Sequence, residues 1–384
     1  MSTFTFATVP QIIAGPGSIA RLSELKTGLG SRILVISDDG VVRAGLVQPA
    51  LASLSEGGAE TSIFTGVVAD PPEAVIHDAV ARAIEFGATG ILGIGGGSSL
   101  DVAKLVALLA RSGEALCDIY GVGKVTGERL PLVLAPTTAG TGSEVTPISI
   151  VTTDAHQKKG VVSPTLLPDA AILDASLTVG LPPAVTAATG IDAMVHAIEA
   201  FTSASANNNP VSRTLAKEAL RLLGANIEAA VKNGADMVAR QAMLLGAMLA
   251  GQAFANSPVA AVHALAYPIG GLYHVPHGLS NSLVLPHVLH FNATVCGDAY
   301  AELAPCLFPQ LEPADRSGRL AGFLEGLALL PVRLNLPVRL RDVGIPKDGL
   351  ALLAESAMEQ TRLLVNNPRT VSLSDAARIY EDAW

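Results

Sequence analysis

Two kinds of segment alternate through the first half of this chain, and the alternation stops at Leu181-Pro182-Pro183. Arg32-Ile33-Leu34-Val35-Ile36-Ser37, Ala59–Phe64, Gly90-Ile91-Leu92-Gly93-Ile94 and Leu130–Ala135 are short apolar runs bounded by turn residues. Continuous apolar runs of that length fit strands buried on both faces of a parallel sheet. Helical stretches stand between them. One covers residues around 43–56; another is opened by Pro71-Pro72-Glu73, which suits a first turn, and runs to about Glu85. A third runs from Ser99 to about Leu109. This βαβα order predicts a doubly wound, Rossmann-like parallel sheet. Beyond Leu181 there is no convincing strand, only Ala- and Leu-rich segments of helical period: Val185–Thr202, Val211–Lys232, Asp236–Ala255 and Asp315–Leu330. Ser203–Pro210, with three consecutive asparagines, reads as a loop. The expectation is an α/β domain over 1–180 and an all-helical domain over 181–384, and 384 residues suffice for two cores.

A mean hydropathy of +0.45 raises the question of a membrane. From Gln241 to Gly297 the chain carries no Lys, Arg, Asp or Glu, but Gln252, Asn256, Pro258 and His263 interrupt any spanning run. A span needs about 18 to 20 consecutive apolar residues, so buried helices of a soluble protein are expected there. The start, Met1-Ser2-Thr3-Phe4-Thr5-Phe6, lacks the basic region and long apolar core of a signal peptide. Cys117, Cys296 and Cys306 form neither a CxxC pair nor an even disulfide framework, which fits a reducing cytoplasm. A net charge of −9 counts against nucleic acid or an anionic membrane as partner and leaves a small molecule.

Five of the eight histidines (His263, His274, His277, His287, His290) fall in the uncharged stretch. Imidazoles in apolar surroundings need partners, and a divalent metal can serve several at once. Asp192 and His196 stand four apart, so on a helix they point the same way. With His263 and His277 they make an Asp-His-His-His set that suits Zn²⁺ or Fe²⁺ better than Mg²⁺ or Ca²⁺. Taken singly, each histidine also reads as a hydrogen-bonded core residue, and Asp192 as a local cap. His274 stands off the ligand pattern, as either a pocket or a surface residue. His287 and His290 read as structural, and His77 and His156 as exposed.

Gly93-Ile94-Gly95-Gly96-Gly97-Ser98-Ser99 lies between the third expected strand and a helix. Backbone N–H groups there can approach phosphate oxygens, and the helix N-terminus adds positive potential. Ser98 takes the third glycine position of the dinucleotide fingerprint, so a tight turn without ligand is the competing reading. Pro136-Thr137-Thr138-Ala139-Gly140-Thr141-Gly142-Ser143-Glu144 follows the next strand, as a floor for a cofactor or simply a capped turn. Asp38, after the first expected strand, is placed to accept from an adenosine ribose hydroxyl and to repel a 2′-phosphate, which favours NAD over NADP.

In this order the motifs resemble the iron-containing (group III) alcohol dehydrogenases along essentially the whole chain. The resemblance rests on Gly95-Gly96-Gly97-Ser98-Ser99-Leu100-Asp101-Val102-Ala103-Lys104, on Pro136 to Thr146, and on Ala188-Thr189-Gly190-Ile191-Asp192-Ala193-Met194-Val195-His196-Ala197-Ile198-Glu199. It continues through Val262-His263-Ala264-Leu265-Ala266-Tyr267-Pro268 and Pro276-His277-Gly278-Leu279-Ser280-Asn281. It implies a dehydroquinate synthase-like architecture, with an N-terminal dinucleotide-binding domain, a helical metal domain and an active site in the cleft between them. It implies Asp192, His196, His263 and His277 as ligands of Fe²⁺, or of Zn²⁺ as in some relatives. Gly95, Gly96, Gly97 and Ser98 would hold the pyrophosphate, Thr137, Thr138 and Thr141 would line the cofactor cleft, and Lys159 and Asp38 would contact the cofactor. Members are usually dimers or larger, so by analogy a homodimer is expected.

One departure is Tyr267, where many members carry a further histidine near the nicotinamide. Its unperturbed pKa of about 10 makes it a poor base at neutral pH, which bears on the proton path rather than on the metal. Tyr267 and His277 are the residues assigned to the chemistry: metal-assisted hydride transfer between a primary alcohol, or its aldehyde or ketone, and NAD. Four protein ligands close a tetrahedral site, so catalysis requires an ion that accepts a fifth, as Fe²⁺ does. A hydroxyacid–oxoacid transhydrogenase-like enzyme is the alternative. A dehydroquinate synthase-like lyase lacks the basic residues a polyanionic substrate needs between Gln241 and Gly297. A maleylacetate reductase-like member would lack the full ligand set, and so would a fold kept only for binding. Asp101 and Lys104 read equally as a local ion pair on a partly exposed face, and Glu199 as a supporting group rather than a ligand. Phe254, Tyr267, Leu272 and Tyr273 point to a medium-sized, mostly apolar alcohol.

Overall fold

The computed structural model describes residues 3–25, 28–153 and 158–384. The chain divides into two compact units, Ala7–Gly180 and Leu181–Trp384, the latter joined by the N-terminal segment up to Phe6.

The first unit is built on a six-stranded, all-parallel sheet. Its strands are β1 (Gln11–Ala14), β2 (Arg32–Ile36), β3 (Glu60–Phe64), β4 (Gly90–Gly95), β6 (Leu132–Pro136) and β9 (Ala170–Leu173), in the order β1-β9-β6-β4-β2-β3. A side sheet joins β5 (Gly121–Val122), β8 (Lys158–Val162) and β7 (Ile148–Thr152). The helices are α1 (Asp39–Arg43), α2 (Gln48–Glu56), α3 (Glu73–Phe86) and α4 (Gly97–Ser112). The strand period of two sorts the apolar runs onto both faces. Leu34, Ile36, Ile91, Leu132 and Leu134 join one core with residues of α3 and α4. Ile33, Val35, Leu92, Ile94, Val133 and Ala135 join a second core with residues of α2. That is what doubly wound means at the level of side chains.

The expected strands are present, with several departures, the unexpected side sheet among them. The helix expected around 43–56 is two helices, because a turn closes between them with Gly45 N–H donating to Val42 O and Leu46 N–H to Val41 O. β1 and β9 carry no run long enough to announce a strand, and β1 is a four-residue, largely exposed edge. The glycine turn therefore follows the fourth strand of the chain, not the third, and Asp38 follows the second.

The second unit holds only helices among its described residues: α5 (Pro183–Thr202), α6 (Pro210–Lys232), α7 (Met237–Asn256), α8 (Ala261–Tyr273), α9 (His277–Leu307), α10 (Arg316–Arg333), α11 (Leu350–Met358), α12 (Thr361–Leu364) and α13 (Leu373–Ala383). The starts of several follow from capping. Asn209 accepts from Ser212 N–H at α6, Asp236 from Ala239 N–H at α7, and Asp315 from Gly318 N–H at α10. α5 is buried from Thr186 to Phe201 apart from Thr189, and the uncharged stretch becomes the interior faces of α7, α8 and α9. None of the described helices is long and apolar enough to cross a membrane.

Candidate active site

In the α/β unit the switch in strand order falls between β2 and β4: β3 lies outside β2, while β4, β6 and β9 run the other way. Open parallel sheets bind ligands at the carboxyl ends of strands beside such a switch. Asp38 follows β2 there, Gly95 to Ser98 close β4 and open α4, and Thr137 follows β6, its N–H donating to Gly95 O at 2.9 Å. α4 starts from Gly96 with no side-chain cap, so the N–H groups of its first turn face outward as an anion site. A cavity of about 370 Å³ lies against this turn, lined among others by Asp38, Asp39, Gly96, Gly97 and Ser98. A Cβ on Gly97 would stand 2.8 Å from Thr141 Cγ2, so only glycine lets the two loops close on each other. The crevice thus brings together Asp38, Gly95, Gly96, Gly97, Ser98, Thr137, Thr138 and Thr141. Asp38 is already engaged: Oδ1 accepts from Val41 N–H at 3.0 Å and Oδ2 from Ser99 Oγ at 3.3 Å. Lys159 sits on β8, exposed, with its ammonium 5.5 Å from the Tyr120 ring centroid.

Asp101 is partly exposed, as expected, but its partner Lys104 is not. Lys104 is fully buried and donates to Ser143 Oγ (2.8 Å), Thr146 Oγ1 (3.1 Å) and Ile148 O (2.6 Å), with Asp101 Oδ1 at 3.4 Å. Asp101 in turn accepts from Ser143 Oγ at 2.6 Å and Ile150 N–H at 2.9 Å. Sequence spacing shows the pair but not the segment 143–150 that folds over it. Burial pulls the Lys104 ammonium below the usual lysine range, and Asp101 opposes that.

In the helical unit, Asp192 and His196 project from α5, His263 from α8, and His277 opens α9. One ligand atom from each lies within 4.8 Å of every other. Asp192 Oδ1 is 3.6 Å from His277 Nε2 and 3.9 Å from His263 Nε2. Asp192, His196 and His263 are buried, whereas the His277 side chain is 29% exposed. Burial alone would push the Asp192 carboxyl up, but His196, His277, His263 and the Asn281 amide together hold it below the usual carboxylate range. One carboxylate and three imidazoles converging in a buried site are a donor set for a borderline divalent cation, and the residues present fit one.

Two further residues belong to the site. Glu199, on α5 one turn past His196, accepts from Ala260 N–H (3.0 Å) and Val262 N–H (2.7 Å) and lies 2.6 Å from His263 Nδ1. Asn281, on α9 one turn past His277, donates to Asp192 Oδ1 at 2.5 Å, its Nδ2 3.3 Å from His277 Nε2 and 3.4 Å from His263 Nε2. The i, i+4 offset of Asn281 from His277 was the sequence signal for it. Phe254 stacks on His196 with centroids 4.4 Å apart, and the Tyr267 ring lies 5.7 Å from that of His277 and 6.5 Å from that of His263. Leu272 is 43% exposed, and the Tyr273 hydroxyl packs beside Gly349. His274 caps α8 in the left-handed region and is exposed, as are His77 and His290; His287 is half-buried, and burial pulls its pKa down. His156 lies outside the described residues.

Residues 10–175 match the iron-containing alcohol dehydrogenase family, and residues 186–384 match the C-terminal part of the Fe-containing alcohol dehydrogenase family. The chain is 39% identical over 391 residues to long-chain-alcohol dehydrogenase 1 of Geobacillus thermodenitrificans, covering 100% of this chain and 98% of that one. It superposes on a 1,3-propanediol oxidoreductase with a TM-score of 0.95 at 32% identity, covering both chains fully. A sulfoacetaldehyde reductase from Bifidobacterium kashiwanohense, solved in complex with NAD⁺, gives a TM-score of 0.87 at 26% identity over 100% of this chain and 99% of that one. The chain belongs to the iron-containing alcohol dehydrogenase family, and is a metal-dependent, NAD-linked oxidoreductase of alcohols and aldehydes.

Proposed function

We propose that Asp192, His196, His263 and His277 hold the catalytic cation, Fe²⁺ or in its place Zn²⁺, and that the substrates are primary alcohols with an apolar chain, or the matching aldehydes. The convergence of four ligand atoms from three helices carries this reading. When bound, the cation supplies the charge that polarises the substrate oxygen, while the nicotinamide takes or gives the hydride. The chain supplies the surroundings. Phe254 stacked on His196 and Tyr267 beside His277 offer aromatic, water-excluding surface next to the ligands, which supports an apolar substrate chain. The name of the Geobacillus relative points the same way. The Tyr267 ring, beside the partly exposed His277, places its hydroxyl to hand a proton on toward solvent.

In the α/β unit the first turn of α4, with Gly95, Gly96, Gly97 and Ser98, holds the pyrophosphate, and Thr137, Thr138 and Thr141 line the cofactor. Asp38 keeps lone pairs beyond its two internal bonds for a ribose hydroxyl and bars a 2′-phosphate, and Lys159 contributes positive charge toward the cofactor. The domains are 1–180 and 181–384. The protein works in the cytoplasm, consistent with three unpaired cysteines, as a homodimer whose formation the open sheet edge at β1 would serve.

The test follows NAD⁺ reduction over straight-chain primary alcohols, diols and hydroxy acids, using protein stripped by chelator and restored with Fe²⁺ or Zn²⁺. Activity should vanish on stripping, return with metal, and rise in kcat/KM with alkyl chain length. Preference for hydroxy acids, or turnover only with an added oxoacid and no NADH, would replace this reading with the transhydrogenase one.

A further inference from the structure

On the Nδ1 side, His263 is held by one buried carboxylate, that of Glu199. The Glu199 carboxylate is 4% exposed and makes three contacts: Oε1 with Val262 N–H, Oε2 with Ala260 N–H and with His263 Nδ1. The first turn of α8 has no side-chain cap of its own, its N-cap being Ala260. Glu199 fills that role from another helix, where a negative charge is favoured by the helix dipole. A carboxylate offers only acceptor sites, and this one already takes two backbone N–H groups, so the 2.6 Å contact is assigned to His263 Nδ1–H donating to Oε2. That puts the proton of His263 on Nδ1 and leaves the Nε2 lone pair facing Asp192 and His277.

We infer that Glu199 is a positioning residue of the metal centre: it fixes the tautomer and ring plane of His263 and thereby sets how tightly the site holds its cation. The inference rests on the metal site proposed above. Asp192, His196 and Glu199 stand at i, i+4 and i+7 on α5, so one helix face carries two ligands and the group that aims a third.

The test measures cation affinity rather than turnover. Zn²⁺ and Co²⁺ binding to wild type, Glu199→Gln and His263→Ala are followed by competition with a coloured chelator, and the tautomers are read from ring-nitrogen NMR correlations. Wild type should bind one ion per chain and His263→Ala should lose it; failure here would sink the metal site itself. Glu199→Gln keeps the size of the side chain but replaces one acceptor oxygen by a donor. It should weaken binding by about 10- to 100-fold, the usual cost of removing a ligand's hydrogen-bond partner. It should also shift the visible Co²⁺ spectrum and turn His263 into a tautomer mixture, changes that loss of a helix cap alone would not produce. Unchanged affinity in a folded Glu199→Gln protein would overturn the inference. So would a wild-type His263 protonated on Nε2 in chelator-treated protein, a result that needs no variant to fold.

Discussion

One side chain and one missing one decide whether His277 meets Asp192. A Cβ on Gly278 would stand 2.5 Å from Ala188 O, so only glycine lets the start of α9 approach the backbone of α5. Gly278→Ala should therefore push His277 away from its partners. The expected result is a stability loss of about 1–3 kcal/mol, typical of overpacking, together with weaker Zn²⁺ binding; an unchanged cation affinity would show that the close approach is not what places His277. Asn281 acts with the opposite sign. Its amide donates to Asp192 Oδ1 at 2.5 Å, so Asn281→Asp sets two carboxylates against each other. Chelator-treated Asn281→Asp should melt several degrees below wild type, and the rise in Tm on adding Zn²⁺ should exceed that of wild type. An equal rise in both would mean that Asn281 does not sense the charge of the site.

At the scale of elements, the loop after β6 is fastened to α4 by a buried polar knot. Glu144, 2% exposed, lies in it beside Lys104 and Asp101. Burial raises the Glu144 carboxyl to about 7, with its own backbone N–H and the Lys104 charge opposing. Between about pH 4.5 and 7 the folded protein then binds more proton at this position than the unfolded chain, so Glu144 makes the fold lose stability as pH rises through that window. Glu144→Gln removes the titration. The variant should gain on wild type progressively from pH 4.5 to 7 and keep a constant lead above, of roughly 3–4 kcal/mol, since each pKa unit corresponds to about 1.4 kcal/mol. Denaturation at pH 5 and pH 8 measures this; equal gaps at both would mean that Glu144 does not titrate there. The sequence showed the Asp101–Lys104 pair of this knot but not the segment that covers it. The apolar strands, the glycine turn and the four-residue spacing of Asp192 and His196 were legible because a period or a fixed offset encodes them. Lys104 was not, since its burial is created by residues 143–150, which fold back over α4. β1 was missed for a similar reason: as a short edge strand it owes its place to pairing with β9, not to its own apolarity. Glu199 was visible as a supporting group, but its target became apparent only once α8 started beside α5.

At the scale of the molecule, the chain passes between the two compact units at Phe6–Ala7 and again at Gly180–Leu181. Each unit has the means to respond to its own ligand. The proposed cation donors all belong to the helical unit, and the residues proposed for the dinucleotide all belong to the α/β unit. A ligand that binds only the folded form stabilises it by RT ln(1 + [L]/Kd), about 2.7 kcal/mol at a hundredfold excess over Kd. For a unit the size of residues 181–384, each kcal/mol moves Tm by roughly 2–4 °C, so saturating Zn²⁺ should raise the helical transition by roughly 5–10 °C. NAD⁺ at a similar excess should leave that transition in place and raise the α/β one. Scanning calorimetry on chelated protein, with Zn²⁺, with NAD⁺ and with both, separates the cases. Two transitions moved independently would show that each core folds on its own ligand. A single transition moved by either ligand would mean that the two cores unfold as one cooperative unit, and that the cation's stabilisation is shared with the sheet that carries the glycine turn.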